Sequence, residues 1–204
     1  ETNYLDLANF NLNELPEISI CLQNIEYLFI NNNNIKIINL YSFQNISVID
    51  ISDNPITEIN YLPQNINELV CNNCKIIKIC SNQSLKKIHC INNNLTQIEN
   101  YPNLIDLQCG ENNLKNIPSL FKLENLSCHN NPIINIDFLP VLKILNCDNT
   151  LLENKIDFAP SLKYLSCCNS NISDISNLKN LSEIELIDSK VDIIPFIPEL
   201  KSII

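Results

Sequence analysis

The residues best suited to chemistry in this chain are its cysteines, of which there are ten, and its two histidines. In one segment Cys71, Cys74 and Cys80 precede the pair His89 and Cys90. Thiols and imidazole grouped in this way are the ligands of structural zinc sites, which need four of them in a tetrahedron. Whether these side chains can converge depends on the elements that carry them, and the spacing of the sequence indicates those elements.

One pattern recurs along the chain at intervals of 19 to 21 residues. LIDLQCGENNLKNI from Leu104 returns as LENLSCHNNPIINI from Leu123, as LKKIHCINNNLTQI from Leu85 and as INELVCNNCKIIKI from Ile66. Apolar residues or Cys fill positions 1, 4, 6 and 11 of each complete unit and position 14 of all but the one from Leu142, which has an extra residue. Position 9 is usually Asn, and otherwise Cys, Thr or Ser. The pattern resembles the leucine-rich-repeat signature L-x-x-L-x-L-x-x-N/C-x-L. The units begin at Ile25, Ile46, Ile66, Leu85, Leu104, Leu123, Leu142, Leu162, Leu181 and Leu200, and a less regular one precedes them.

The repeat predicts an α/β leucine-rich-repeat solenoid of right-handed, horseshoe form over residues 1–204, as a single domain. Alternation around positions 3 to 7 predicts one short strand per unit, and about ten such strands form a parallel, concave sheet. Each return path is too short for more than a turn or two of helix. Its prolines predict a convex side of extended and 3₁₀ segments, and residues 17–24 predict one helical or 3₁₀ turn.

The repeat phase also assigns the cysteines and histidines. Six cysteines share the inward position 6, where free Cys behaves as a small hydrophobe: Cys71, Cys90, Cys109, Cys128, Cys147 and Cys167. We therefore expect buried, reduced thiols and no metal site. The two histidines, His89 and His129, fall on the opposite face two units apart, roughly 10 Å at the usual strand spacing, and predict ordinary surface groups.

Composition narrows the classes of function. The net charge is −10 and Arg is absent, which argues against nucleic acid or an anionic membrane as the main ligand. A single glycine, Gly110, excludes a Gly-rich phosphate loop, and no nucleophile elbow is present, so we expect neither catalysis nor a cofactor. No apolar run approaches the roughly 18 residues of a membrane span and no secretory leader opens the chain. We expect a cytoplasmic protein.

Positions 3, 5 and 7 face away from the core and vary freely, so they predict the binding surface. Exposed aromatic and branched residues cluster there on the early strands and again on the late strands, among carboxylates that favour a basic partner. The predicted contact residues are Tyr4, Tyr27, Phe29, Val48, Asp50, Val70, Tyr164 and Ile187.

Short units, the step from Leu or Ile to Pro after position 14 (Leu15-Pro16, Ile117-Pro118, Ile194-Pro195) and the phrase YLPQNINELVCNN resemble the repeats of bacterial effectors of the YopM and IpaH type. With the Asn and Ile bias and Cys at position 6, the chain also resembles repeat proteins of amoebae and of giant viruses that infect them. The resemblance implies a module that binds a partner protein, with the host cytoplasm as a location. It leaves open an alternative, the substrate-recognition segment of a larger effector-type ubiquitin ligase, and a third reading in which open ends stack into dimers.

Overall fold

A computed structural model describes residues 3–16 and 24–204. Its main element is a parallel sheet of eleven strands whose order follows the chain. The first ten strands comprise positions 3 to 5 of one unit and turn their middle residue towards the core, whereas the last comprises positions 3 and 4 only. These strands are β1 (Tyr4–Asp6), β2 (Tyr27–Phe29), β3 (Val48–Asp50), β5 (Glu68–Val70), β7 (Lys87–His89), β8 (Asp106–Gln108), β10 (Asn125–Ser127), β12 (Ile144–Asn146), β14 (Tyr164–Ser166), β16 (Glu183–Glu185) and β17 (Ser202–Ile203).

The return paths carry the remaining strands, which form three two-stranded parallel sheets. They are β4 (Glu58–Ile59) with β6 (Lys78–Ile79), β9 (Asn116–Ile117) with β11 (Asn135–Ile136), and β13 (Glu153–Lys155) with β15 (Asn171–Asp174). The extra residue of the unit that begins at Leu142 is accommodated by a register shift between Asn154 and Lys155. The predicted parallel repeat solenoid is confirmed, with eleven strands in the main sheet rather than about ten.

The core lies between the main sheet and the return paths as one continuous apolar cluster. It is built from the predicted inward positions, and all six position-6 cysteines are fully buried and free. Burial raises the pKa of the Cys90, Cys128 and Cys167 thiols to about 12. It also raises the pKa of Cys71, Cys109 and Cys147 well above the usual value. The column therefore consists of neutral thiols at physiological pH.

Single β-turns close several of the extended return paths: the position-1 N–H of Leu104 donates to the Tyr101 carbonyl at 3.1 Å, and that of Leu200 donates to the Ile197 carbonyl at 3.2 Å. Pro102 and Pro198 occupy the second residue of these turns, where a fixed φ is favoured. Of the helical or 3₁₀ turn predicted over residues 17–24, Asn24 has 3₁₀ conformation, and residues 17–23 lie outside the described residues.

Position 9 forms a polar ladder at the bends that follow the strands from β2 to β14. Asn112 is typical, because its side-chain nitrogen donates at 2.9 to 3.2 Å to the carbonyl oxygens of Cys90, Cys109 and Gly110. Its side-chain oxygen accepts from the N–H of Leu95 at 2.9 Å. The same four-bond arrangement recurs at Asn33, Asn54, Asn93 and Asn131. One amide thus joins two consecutive units.

The ladder weakens towards the carboxyl end. Thr150 and Ser170 replace Asn there, and each hydroxyl donates one hydrogen bond of 2.7 Å to a carbonyl of its own unit. Cys74 breaks the ladder earlier, with weak thiol contacts of 3.5 and 3.4 Å to the carbonyls of Ile51 and Asn72. A hydroxyl cannot provide the two donors and the acceptor of an amide, so the later units are joined less firmly.

The residue before the ladder adopts a left-handed backbone in every unit. The φ angle at position 8 is positive in each case, from 51° at Asn169 to 63° at Asn9. Asn or Asp fills this position throughout, except for Glu111 at φ 55°. Asn and Asp tolerate this region because their short side chains hydrogen-bond locally, whereas a longer side chain is strained there.

The exception leads to a stability prediction. Glu111→Asn should raise the free energy of unfolding by about 0.5 to 1 kcal/mol, because Asn fits a left-handed backbone better than Glu. Urea unfolding of both proteins would measure the difference. Glu58→Asn is the matched control, since Glu58 lies in the extended strand β4, and it should bring no gain. Equal effects at both positions would contradict the argument.

Candidate interaction surface

The early strands bring together three of the predicted contact residues. Tyr4, Tyr27 and Val48 occupy the same row of the concave face on the adjacent strands β1, β2 and β3. The side chains of Tyr4 and Tyr27 are 54% and 43% exposed, which is high for aromatic residues on a regular strand. Phe29 lies on the same strand as Tyr27 and is half-buried, pointing to the concave side as expected. These four residues form the early patch.

The early patch has an acidic border. In the next row of the sheet, Phe29 lies between Asp6 on β1 and Asp50 on β3. Each carboxylate accepts one backbone N–H, from Ala8 at 3.0 Å and from Ser52 at 2.9 Å. Val70 follows Asp50 in the same row, so it is separated from Phe29 by a carboxylate and does not join the early patch.

The late strands hold a second group. Ile144 and Tyr164 are direct neighbours on β12 and β14, and Glu183 follows them in the same row. Ile144 is 45% exposed and Tyr164 is half-buried. Ile187 is 57% exposed but follows the end of β16, so it lies beside this pair and not within its row. We call Ile144, Tyr164 and Ile187 the late patch.

A hydrogen-bonded acidic group adjoins the late patch. The Tyr164 hydroxyl donates to Glu185 at 2.8 Å, and burial together with this hydrogen bond to a carboxylate raises the pKa of Tyr164 to about 12. The Ser166 hydroxyl is almost fully buried and donates to Asp148 at 2.7 Å. Asp148 also accepts the N–H of Cys168 at 2.7 Å. These contacts hold the two carboxylates in fixed positions on the concave face.

The middle of the face is polar and internally paired. Lys87 lies 3.5 Å from Glu68, and the imidazole of His89 lies 3.9 Å from Asp106. His129 accepts or donates a 2.9 Å hydrogen bond with Ser127 and lies 3.9 Å from Glu111. Both histidines therefore have polar partners on the concave face, where they are surface groups.

Gly110 makes room for one of these rings. A Cβ atom built at Gly110 would lie 2.2 Å from Cε1 of His129, so any side chain there would displace the imidazole. The single glycine of the chain thus serves close packing against a neighbouring strand, and its φ is not positive.

The zinc-like grouping separates as the repeat phase predicts. Cys71 and Cys90 are buried in the core, Cys74 occupies the ladder and His89 lies on the concave face. In the part of the chain that the structure describes, no three His, Cys, Asp or Glu side chains converge as a metal site. Nor does any helix within residues 3–16 and 24–204 have the length and apolar character that crossing a membrane requires.

Comparison with solved structures places this geometry among known folds. YopM of Yersinia enterocolitica matches 95% of the chain with a TM-score of 0.80 at 19% identity. YopM of Yersinia pestis, a leucine-rich effector protein, matches 98% with a TM-score of 0.76 at 22% identity. The fold is that of the leucine-rich-repeat proteins. The chain spans 48% and 65% of the length of these two YopM chains.

Further matches are leucine-rich-repeat chains from solved complexes. A chain from the octameric complex of latrophilin 3, Unc5D and FLRT2 aligns with all of this chain and 73% of its own length, at a TM-score of 0.75 and 19% identity. A chain from the TLR13–ssRNA13 complex aligns with 88% of this chain and 32% of its own, at a TM-score of 0.69 and 17% identity. No protein-family model and no curated protein sequence matches the chain. At these identities the leucine-rich-repeat likeness establishes the fold.

Two features of the surface were not anticipated from the sequence. The left-handed backbone at position 8 is hard to recognise because Asn is common throughout the chain. The recurring pairs of Asn or Asp at positions 8 and 9 do indicate it. The convergence of Asp148 and Glu185 on Ser166 follows from side-chain orientation, which the repeat does not specify.

Proposed function

We propose that residues 1–204 act as a single protein-binding domain that holds its partner on the concave face. The observation that supports this most directly is the early patch, in which exposed aromatic side chains lie on a rigid sheet. Aromatic residues on a preorganised surface are the usual anchors of protein interfaces, and exposed apolar patches of this kind are uncommon without a partner. The proposed contacts are the predicted ones: Tyr4, Tyr27, Phe29, Val48, Asp50, Val70, Tyr164 and Ile187.

The charge of the face favours a basic protein as the partner. Asp6 and Asp50 border the early patch, and the chain has 23 acidic against 13 basic residues. A phosphate backbone or an anionic membrane would be repelled by such a surface. We propose no catalytic activity and no cofactor, and the column of free thiols supports residence in a reducing compartment such as the cytoplasm, including that of a host cell.

A triple substitution tests the proposal. Tyr27→Ser, Phe29→Ser and Val48→Ser together should reduce retention of the partner from a host lysate at least tenfold. This is the order of magnitude expected when two aromatic anchors of an interface are lost. Retention on the immobilised protein would be quantified by mass spectrometry. Circular dichroism should be unchanged, because these side chains lie outside the core.

The matched control removes apolar side chains elsewhere. Ile77→Ser, Phe121→Ser and Phe138→Ser change residues that are 50%, 64% and 50% exposed and lie off the concave strands. This variant should retain the partner at the wild-type level. Undiminished retention by the concave variant, or equal loss in both variants, would rule out the early patch as the binding site.

The alternative is a substrate-recognition segment of a larger effector-type ubiquitin ligase. It is supported by the likeness to YopM, an effector whose chain is longer than this one. The early patch would then hold the substrate of that enzyme. A catalytic domain encoded downstream in the same gene would favour this reading, and a stop codon directly after Ile204 would exclude it.

A further inference from the structure

The distribution of ion pairs distinguishes one part of the concave face from the rest. Across the middle, Glu68 is paired with Lys87, and Asp106 and Glu111 each have a histidine at 3.9 Å. Beside the late patch the carboxylates of Asp148, Glu183 and Glu185 have no such partner among the described residues. Two units, on either side of the one that carries Tyr164 and Ser166, therefore present negative charge without an ion-pair partner among the described residues.

Two of these carboxylates are also held close to one another. The Ser166 hydroxyl lies 2.7 Å from Asp148 and 3.5 Å from Glu185, so both carboxylates approach the same buried hydroxyl from the units on either side of it. A hydroxyl has one proton to donate, and here Asp148 receives it. Glu185 keeps an oxygen free, and two like charges this near each other favour a cation between them.

Apolar surface lies one row away from this charge. Ile144 and Tyr164 occupy position 3 of their strands, while Ser166 and Glu185 occupy position 5. Rows two residues apart on a strand are separated by roughly 6.7 Å. Alternate side chains of an extended peptide have the same separation, so a peptide running along the strands would match both rows.

We propose that the late patch is a docking site for an extended segment of a partner protein in which an apolar residue and a Lys or Arg lie two positions apart. The apolar side chain rests on Ile144 and Tyr164. The cation reaches Asp148 and Glu185, with Glu183 adding to the attraction. The site deepens the proposed function, because it names the chemistry of the partner, and it rests on the concave face being the binding surface.

Two synthetic peptides of equal composition provide the probe. One has the order Leu-Ser-Lys-Ser-Leu-Ser-Lys, and the other, Leu-Leu-Ser-Ser-Ser-Lys-Lys, lacks the alternation. Fluorescence anisotropy of labelled peptides should show several-fold tighter binding of the alternating order to the full chain, with affinity falling as salt rises. A third peptide with Glu in place of Lys should not bind.

Variants of the protein locate the site. Glu183→Gln with Glu185→Gln should weaken binding of the alternating peptide about tenfold, which is the scale expected for the loss of close charge pairs. Ile144→Ser should weaken it several-fold through the apolar contact. The control pair Glu58→Gln and Glu199→Gln makes the same change of charge away from the concave strands and should leave binding unchanged.

The outcomes separate this site from the early patch. The variant with Tyr27→Ser, Phe29→Ser and Val48→Ser should still bind the alternating peptide. Loss of partner capture in that variant would therefore concern the early patch and would not contradict the site at the late patch. The proposal is overturned if both peptide orders bind equally, if the Gln variant binds as well as wild type, or if millimolar calcium chloride displaces the peptide. The last result would assign the carboxylates to a divalent cation.

Discussion

Raising the pH from 8.5 to 10 should sharply lower the free energy of unfolding of this protein. Six position-6 thiols are buried, and burial raises the pKa of Cys90, Cys128 and Cys167 to about 12 and that of the other three well above the usual value near 9. In the unfolded chain these thiols ionise near pH 9, whereas in the folded chain they stay protonated. The unfolded state thus binds fewer protons above pH 9, and stability falls as the pH rises.

The size of the effect follows from the number of thiols. Stability is fully retained below pH 9 and is lost as the pH rises towards the folded pKa values. At about 1.4 kcal/mol per unit for each group, six thiols lose roughly 7 kcal/mol between pH 8.5 and 10. A typical domain has 5 to 15 kcal/mol in total. Urea unfolding followed by circular dichroism at pH 8, 9 and 10, under a reducing agent, measures this slope.

Removal of two thiols provides the control. Cys109→Ala with Cys128→Ala lowers stability at pH 8 because cavities are left in the core. The dependence of stability on pH should nevertheless become clearly shallower, because two of the buried thiols with a raised pKa are gone. A slope that does not change would show that groups other than the thiol column cause alkaline unfolding.

Asn112→Leu should cost about 3 to 5 kcal/mol of unfolding free energy, the scale of several buried polar groups left unpaired. The side chain of Asn112 makes four hydrogen bonds that no leucine can replace, including one that links its unit to Leu95 of the preceding unit. Thermal and urea unfolding at pH 7 would measure the loss. Asn112→Thr should have an intermediate effect, since Thr150 shows that a hydroxyl retains one of these bonds.

The neighbouring residue serves as the comparison. Asn113 is exposed, and Asn113→Leu changes the same residue type by the same chemistry outside the ladder. Its effect should stay within about 0.5 kcal/mol, as for most surface positions. If both leucine variants lose equal stability, the ladder does not have the role assigned to it.

The fold was predictable because burial selects residue types at fixed intervals. Leu107 and Cys109 face the core and Asp106 and Gln108 face outward, which is the alternation expected of a strand with one buried face. The same interval assigns Cys71 and Cys90 to the core, where their thiols cannot converge with the side chain of His89 on the concave face. A periodic pattern of this kind leaves few other arrangements of the chain.

Local backbone geometry was less accessible from the sequence. Pro102 occupies a turn corner at the end of an extended return path, and the repeat does not distinguish the two settings because both suit the fixed φ of proline. Asn32 and Asn33 are identical residues with different tasks, one for a left-handed backbone and one for the ladder. Single-sequence reasoning recognised the second role, because only that one belongs to the repeat signature.

The sequence predicted which residues of the concave face share a row, but not which of their side chains contact one another. The register places Tyr27 beside Tyr4 and Val48 as expected, whereas Val70 is separated from them by Asp50. Pairing of Lys87 with Glu68 and the sharing of Ser166 by two carboxylates depend on side-chain rotamers. Outward residues choose rotamers according to neighbours on other strands, and the spacing of one chain does not encode that choice.

The change from amide to hydroxyl in the ladder gives the molecule an uneven resistance to opening. In an array whose units touch only their neighbours, local stability is the sum of each unit and its two junctions. The hydroxyls of Thr150 and Ser170 bond only within their own units, so we expect the carboxyl-terminal third to open more readily than the units joined by Asn. The late patch lies in this third, and a peptide bound there would therefore stabilise the end of the solenoid.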